Sequence, residues 1–183
     1  MKGLLGSDFM LDPNIILESA KTGNADSFGV LYEKYAKEIY LYAYKYLGNR
    51  EDAEDAVQQA SVNVYKNIKS IKNADSFKAY YFKAVSNTCK TMLSKKKLHI
   101  VSTDEADELS SNDTTESSVI EKSTLENALA KLNDEEREIV LLSVISGFSS
   151  KEIAKITNLT HGSVRSKLSR ALNKLRVQLG KDE

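Results

Sequence analysis

The residues best suited to recognition chemistry lie near the carboxyl end of the chain, between Ser149 and Leu172. Arginine, lysine, serine and threonine recur there at positions that turn outward if Val164 and Leu168 face inward on a helix. Arginine can bind a base edge through two hydrogen bonds, whereas lysine supplies a compact charge suited to phosphate. This chemistry would be non-covalent recognition of DNA. The candidate contacts are Thr160, His161, Ser163, Arg165, Ser166, Lys167, Ser169 and Arg170.

The spacing of the same segment predicts a helix-turn-helix. A short helix over 150–157 begins with a capping box formed by Ser149 and Glu152. Asn158 can supply the turn, because asparagine tolerates a left-handed backbone better than most residues. The second helix then starts at Thr160. A plain helical hairpin with a solvated basic face is the alternative that this segment alone leaves open.

Helices are predicted over most of the chain, which has one proline, eight glycines and no tryptophan. So few helix breakers favour long helices over a turn-rich β fold, and no repeat or strand pattern is present. The predicted helices are one after an Asp12-Pro13 cap, one over 25–47 that Gly48 ends, one after an Asn49 cap, one over 77–96 capped by Ser76, and four in the last third of the chain.

Charge is unevenly distributed along the chain, although the formal net charge is zero. Seven acidic residues and one lysine lie between residues 101 and 124, in a stretch rich in serine and threonine. Such a segment buries too little apolar surface to offset the entropy of ordering it, so we predict a flexible linker there. From residue 146 to the end, eight basic residues outnumber three acidic ones, as expected of a DNA-binding module.

Several classes of function are disfavoured. The apolar runs fall far short of the roughly 18 residues that a membrane span requires, and the first residues lack the apolar core of a signal peptide. Cys89 stands alone, so an intramolecular disulfide is excluded and a reducing, cytoplasmic compartment fits. His99 and His161 have no companion ligand at metal spacing, and no catalytic motif is apparent. We therefore expect no metal, no cofactor and no enzymatic activity.

The order of motifs in the last third of the chain resembles the C-terminal promoter-binding domain of bacterial sigma factors of the sigma-70 family. In that family, this domain reads the −35 promoter element in the major groove of DNA. The resemblance therefore implies −35 contacts for the eight residues named above. It is carried by the segments 125–132, 135–142, 147–154, 163–168 and 170–176.

The N-terminal half resembles the core-binding domain of the same family. Residues 28–35 match its opening helix, and 48–60, with the sequence GNREDAEDAVQQA, match its most characteristic acidic stretch. In the family this surface grips the clamp helices of the largest polymerase subunit. Without the resemblance, the same residues would be only a solvated helix start. The residues implied as polymerase contacts are Asp52, Asp55, Gln58 and Gln59.

The helix predicted over 77–96 resembles the strand-separation helix of the family, in which aromatic residues precede an asparagine. Aromatic faces can stack on unpaired bases. A role in the hydrophobic core is the alternative for these rings, more so for Tyr81 than for Tyr80. The family often has a basic residue, an aspartate and an arginine where this chain has Ser86, Thr91 and Ser94. The residues implied as −10 contacts are Tyr80, Tyr81, Asn87, Lys90 and Lys95.

These observations predict an all-α chain of two small helical domains joined by a flexible acidic linker. Residues 1–98 would bind core polymerase and −10 DNA, residues 99–117 would form the linker, and residues 118–183 would form the helix-turn-helix domain that binds −35 DNA. This arrangement resembles the extracytoplasmic-function (ECF) group of sigma factors. The resemblance implies promoter-specific transcription initiation, with core RNA polymerase, promoter DNA and an anti-sigma factor as partners.

Two other functions remain open from the sequence. A stand-alone helix-turn-helix regulator would use its N-terminal domain for dimerisation or sensing and would bind DNA without polymerase. A helical adaptor that binds only protein would use neither DNA nor polymerase.

The predicted linker can be tested by limited proteolysis of the free protein. We expect the first cuts between about Val101 and Ser118, because a chain segment without buried surface is open to a protease. Mass spectrometry of the fragments locates the cuts. Protection of this stretch, with first cuts inside the predicted helices, would contradict the prediction.

Overall fold

The computed structural model describes residues 12–102 and 124–180, and the regular secondary structure of these ranges is helical, without a strand. The all-α prediction is confirmed. The helices are α1 (Pro13–Lys21), α2 (Ala25–Leu47), α3 (Arg50–Lys66), a 3₁₀ turn (Ile68–Ser70), α4 (Ala74–Ser102), α5 (124–130), α6 (Asp134–Val144), α7 (Ser150–Thr157) and α8 (His161–Gln178).

The helix ends in the first half follow local sequence signals. The Asp12 carboxylate accepts from the Asn14 N–H at 2.9 Å, with Pro13 at the first position of α1. Gly48 ends α2 with φ of 83°, a left-handed conformation that glycine adopts without a Cβ clash. The Asn49 side chain then accepts from the Asp52 N–H at 2.8 Å and caps α3.

The bounds of α4 differ from the prediction. The helix begins at Ala74 because Asn73, not Ser76, is the capping residue: its side-chain oxygen accepts from the Ser76 N–H at 3.0 Å. The helix also continues to Ser102. Residues 99–102, which the sequence prediction assigned to the linker, are therefore helical, while the rest of that segment lies outside the described residues.

Aromatic rings fill the space between α2, α3 and α4. Phe77, Tyr81 and Phe82 on α4 are fully buried, as is Tyr42 on α2. The rings of Phe77 and Tyr81 meet edge to face with centroids 5.8 Å apart, and Tyr42 meets Phe82 in the same way at 5.7 Å. Burying a large apolar side chain contributes about 1.5–3 kcal/mol, so this cluster is a principal source of stability for α1–α4, which we call the N-terminal group.

Helices α5–α8, the C-terminal group, have their own packed interior. Ile139, Leu142, Ile153, Val164 and Ala171 are fully buried between α6, α7 and α8. Capping boxes start α6 and α7. Because a capping box satisfies backbone donors at the helix start through nearby side chains, these helices begin where the sequence predicts.

The two groups pack against each other, α2 against α6 and α4 against α7. The Phe82 ring of α4 meets the Phe148 ring edge to face, with centroids 5.3 Å apart. Lys78 on α4 donates to the Ser146 carbonyl at 2.7 Å, and Arg137 on α6 reaches the Tyr46 carbonyl at 3.4 Å. This packing determines which candidate contacts are accessible.

Candidate nucleic-acid and polymerase interfaces

The helix-turn-helix consists of α7, a turn at Asn158, and α8. Asn158 adopts φ of 58°, and its N–H donates to the Ala154 carbonyl, which ends α7. The Thr160 hydroxyl accepts from the Ser163 N–H at 3.2 Å and caps α8. Val164 is fully buried. The turn and the buried contact together fix the rotation of α8 about its own axis, and hence which side chains it turns outward.

The candidate −35 contacts lie on α8 and at its N-cap. Ser163 and Lys167 are half-buried, and the other six are exposed. The buried Val164 and Ala171 mark the opposite side of the helix. A polar outer face on a helix held by an apolar inner face is the arrangement needed to enter a major groove. The exposed candidates are Thr160, His161, Arg165, Ser166, Ser169 and Arg170.

Arg165 and Lys167 stand in different environments. Arg165 is exposed. The Lys167 ammonium lies 2.6 Å from a Glu135 carboxylate oxygen on α6, and 26% of the Lys167 side chain is exposed. Because solvent-accessible pairs contribute only about 0–1 kcal/mol, this ion pair leaves Lys167 available to a phosphate at low cost.

A second ion pair ties α8 to α6. Lys174 Nζ lies 2.8 Å from both oxygens of Glu136, whose carboxylate also completes the capping box with Asn133. The hydrogen bond from Lys174 is the main cause that lowers the pKa of Glu136 below its ordinary value. Glu136 therefore both starts α6 and holds the second half of α8 against it.

The candidate −10 contacts on α4 do not share one exposed face. Asn87 and Lys95 are exposed, whereas Tyr80 and Lys90 are half-buried and Tyr81 is fully buried. The Tyr80 hydroxyl accepts from the Ser70 hydroxyl at 3.2 Å. In this conformation Asn87 and Lys95 are open to a nucleic acid, and the others are partly or wholly engaged within the protein.

Tyr81 has the surroundings of a core residue. Its hydroxyl is hydrogen-bonded to Ser61 on α3, and its ring lies 5.9 Å from the Tyr32 ring on α2. Burial is the main cause that raises the pKa of the Tyr81 hydroxyl. The burial of Tyr81 therefore favours a role in the hydrophobic core, which was the alternative to a DNA contact for this ring.

Three of the four candidate polymerase contacts form an open polar surface on α3. Asp55, Gln58 and Gln59 are exposed, while Ala53, Ala56, Val57 and Ala60 are buried on the opposite side of the helix. Asp52 is different, because it is hydrogen-bonded to Asn49 and paired with Lys96 near the end of α4. Partial burial tends to raise the pKa of Asp52, but the hydrogen bonds from Asn49 and Lys96 leave it lowered overall.

The sequence analysis missed a carboxylate at the centre of the packing between the two groups. The Glu138 side chain on α6 is 3% exposed, and its carboxylate pairs with Lys90 at 2.7 Å and accepts from the Ser86 hydroxyl. Both partners belong to α4. Its position in the sequence could have indicated that Glu138 is buried. Glu138 lies three and four residues before the buried Leu141 and Leu142, and thus on the same helix face.

The described ranges hold no cluster of three or more histidine, cysteine, aspartate or glutamate side chains that could bind a metal ion. Nor does any helix within them have the length and apolar character to cross a membrane.

Comparison with known families agrees with this arrangement. The family described as "Sigma-70 region 2" matches residues 31–98, and "Sigma-70, region 4" matches residues 122–175. These two regions, in this order and with the helix-turn-helix in the second, define a sigma factor. The chain belongs to the sigma-70 family, and its relatives place it in the ECF group.

Curated relatives match along most of their length. "ECF RNA polymerase sigma factor SigW" of Bacillus subtilis (strain 168) is 28% identical over 177 residues, which cover 89% of this chain and 94% of the relative. "RNA polymerase sigma factor SigV" of the same organism is 28% identical over 149 residues, which cover 81% and 89% respectively.

Solved structures share the fold. CnrH, solved in complex with the cytosolic domain of CnrY, has a TM-score of 0.72 at 22% identity and covers 94% of this chain and 100% of its own. The sigma factor RpoE from Bartonella quintana, solved in complex with the anti-sigma factor NepR, has a TM-score of 0.76 at 22% identity and covers 87% and 100% respectively.

The contrast between Tyr81 and Tyr80 gives a test of the core assignment. Tyr81→Ala should lower the free energy of unfolding by about 3–5 kcal/mol, because it leaves a cavity among packed rings. Tyr80→Ala, the matched control one residue away, should cost about 1 kcal/mol or less, since its ring is only half-buried. Urea denaturation followed by circular dichroism measures both. Equal losses of unfolding free energy in the two variants would contradict the assignment of Tyr81, but not Tyr80, to the core.

Proposed function

We propose that this protein is an ECF-type sigma factor, which binds core RNA polymerase and directs it to specific promoters. The observation that carries the proposal is the pair of sigma-70 regions in family order, joined to an α8 whose outer face presents Arg165. In this proposal α3 binds polymerase, α4 contacts the −10 element and α8 reads the −35 element. We also propose the two domains predicted above, with the first extended to the end of α4 at Ser102, the second over 118–183, and a linker between them.

We propose that the protein is not itself an enzyme. It supplies binding surfaces, and phosphodiester bond formation stays with the polymerase that it recruits. Since both polymerase and promoter DNA reside in the bacterial cytoplasm, we propose that the protein acts there. It needs no cofactor for this role.

The proposed polymerase surface is formed by Asp55, Gln58 and Gln59 on α3. These side chains are exposed and polar, and the buried side of α3 keeps them in one orientation. Asp52 would act indirectly: by pairing with Lys96 it holds the start of α3 against the end of α4.

The proposed −35 surface makes two kinds of DNA contact through two kinds of side chain. Arg165 is free to make paired hydrogen bonds to a guanine edge, which would give sequence preference. Lys167, already paired with Glu135, would contribute charge to the phosphate backbone.

The proposed −10 surface rests first on Asn87 and Lys95, which are exposed on α4. Tyr80 and Lys90 would join them once their partial burial is relieved. Tyr81 would support the helix from beneath and would not contact DNA in the present conformation.

We infer that an anti-sigma factor regulates the protein. The support is that two proteins of the same fold were solved with such partners: RpoE with the anti-sigma factor NepR, and CnrH with the cytosolic domain of CnrY.

Run-off transcription tests the proposal as a whole. Purified core polymerase, with and without this protein, is supplied with genomic promoter fragments, and transcripts with defined start sites are expected only when the protein is present. A stand-alone regulator would instead protect promoter DNA from nuclease without polymerase. An adaptor would produce neither result.

Charge reversal on α3 tests the polymerase surface. Asp55→Lys and Gln58→Ala should each weaken binding to core polymerase about tenfold, or roughly 1.4 kcal/mol, without unfolding the domain. Glu18→Lys, an exposed acid on α1, is the matched control and should bind normally. Pull-down titrations measure affinity, and circular dichroism checks folding. Normal binding by both α3 variants would place the interface elsewhere.

Two substitutions on α8 should weaken promoter binding in different ways. Arg165→Ala should cost roughly 1–3 kcal/mol and relax the preference at one −35 base pair, because a base contact is lost. Lys167→Ala should weaken binding evenly across sequences and reduce the salt slope by about one unit, because a phosphate contact is lost.

The measurement uses holoenzyme on a panel of −35 variants at several salt concentrations. Arg176→Ala, an exposed arginine in the last turn of α8, is the matched control. If the preference at every base pair survived Arg165→Ala, this residue would not be a base reader. If neither variant changed promoter binding, α8 would not be the recognition helix.

A further inference from the structure

The basic side chains of α8 lie on two sides of the helix. Lys167, Arg170 and Lys174 follow one another at intervals of three and four residues, so they share one face. Arg165 precedes Lys167 by two residues, which places it about 200° away around the helix axis. Lys167 and Lys174 both form ion pairs with α6. The face of α8 that these lysines share is therefore the one beside α6, while Arg165 points elsewhere.

The first turn of α6 supplies the acids for these ion pairs. It contains Asp134, Glu135 and Glu136, at the end of the helix where the backbone dipole favours negative charge. A Glu135 oxygen lies 2.6 Å from the Lys167 ammonium, and a Glu136 oxygen lies 2.8 Å from the Lys174 ammonium. Two acids of α6 thus occupy the positions around these lysines that DNA phosphates would take.

The two ion pairs differ in how readily a phosphate can replace the carboxylate. The Glu136 side chain is 8% exposed, and it also accepts from the Asn133 N–H in the capping box, so it is fixed in place. The Glu135 side chain is 39% exposed. Because solvent reaches this second pair, Lys167 can exchange its carboxylate partner for a phosphate without disturbing the start of α6.

This exchange has a cost in DNA affinity. Any complex in which Lys167 contacts a phosphate must first break the pair with Glu135. The cost is the same for every base sequence, because a phosphate contact carries no sequence information. Pairs open to solvent are weak, so the affinity is lowered by up to about fivefold, which corresponds to about 1 kcal/mol.

We propose that Glu135 sets the strength of DNA binding by α8, because its carboxylate competes with phosphate for Lys167. Glu135 makes no contact with DNA in this role, and the sequence preference stays with Arg165. The inference deepens the proposed function and rests on it, since it requires that α8 bind DNA.

Glu135→Gln tests the competition, because glutamine has nearly the same size and no charge. Holoenzyme with this variant should bind a promoter fragment about three to five times more tightly than the wild type does. Fragments with altered −35 elements should gain by the same factor. The gain should shrink as salt rises, because salt screens exposed ion pairs. Fluorescence anisotropy at several salt concentrations measures the affinities, and circular dichroism checks folding.

A double variant shows whether Glu135 acts through Lys167. Glu135→Gln combined with Lys167→Ala should bind no more tightly than Lys167→Ala alone, because no ammonium remains to be released. Glu126→Gln is the matched control. It also removes one acid from the C-terminal group and breaks an ion pair, but the partner is Lys45 on α2. This control should bind DNA as the wild type does.

Three results would overturn the inference. The first is wild-type affinity in a folded Glu135→Gln variant. The second is a gain that persists when Lys167 is absent, which would mean that Glu135 acts by general repulsion. The third is a gain confined to the intact −35 element, which would mean that Glu135 alters base preference.

The same variants with a duplex of random sequence separate this inference from the proposed function. Here the full chain is used at low salt without polymerase, and Glu135→Gln should again bind more tightly only when Lys167 is present. If this gain is found while run-off transcription fails, the competition stands and the proposed function is wrong. If run-off transcription succeeds and Glu135→Gln gives no gain, the competition is wrong and the proposed function stands.

Discussion

The packing of aromatic rings around α4 is the interaction on which the rest of this structure depends. Phe77 and Tyr81 anchor the helix against α2 and α3, while Phe82 contacts both Tyr42 on α2 and Phe148 in the C-terminal group. Because rings of this size are buried on more than one side of the helix, α4 cannot rotate or slide without opening the core. Its position then determines where Asn87 and Lys95 lie and which side chains α6 meets.

Different combinations of apolar contacts and ion pairs hold the helices together within each group and between the two groups. Inside the C-terminal group, Val164 and Ala171 fix α8 from its buried side, and Lys174 with Glu136 fixes it from the surface. Between the groups, the Phe82–Phe148 ring contact and the polar contacts of Lys78 and Glu138 lie together, and the buried apolar residues of both groups form one continuous core. Both apolar and polar contacts therefore hold the two groups together.

The proposed surfaces differ in how much they depend on contacts between the two groups. The proposed polymerase surface on α3 and the proposed −35 surface on α8 each rest on a single helix with a buried inner face, so either can be presented without help from the other. The proposed −10 surface differs, because Lys90 takes part in the contact between groups. Its availability is therefore a property of the whole chain.

The sequence by itself determined those features that depend on neighbours within a few residues. Asn49, Ser149 and Thr160 cap helices, and Asn158 turns the chain, because each acts on backbone atoms no more than four positions away. The outer face of α8 followed from the same local logic, since one buried stripe on a helix leaves its other side to solvent. The family resemblance, carried by motifs at fixed spacing, was confirmed as well.

Only the tertiary structure determined which side chains on α4, and on the helices packed against it, are buried and which form ion pairs. A helix contacted on several sides has no single apolar stripe, so the sequence favoured a core position for Tyr81 over Tyr80 but still left Tyr81 a candidate DNA contact, which its full burial argues against. The ion pairs of Lys90 with Glu138 and of Lys167 with Glu135 join residues 48 and 32 positions apart. Pairings at such distances arise from the packing of whole helices, which no local pattern of residue types encodes.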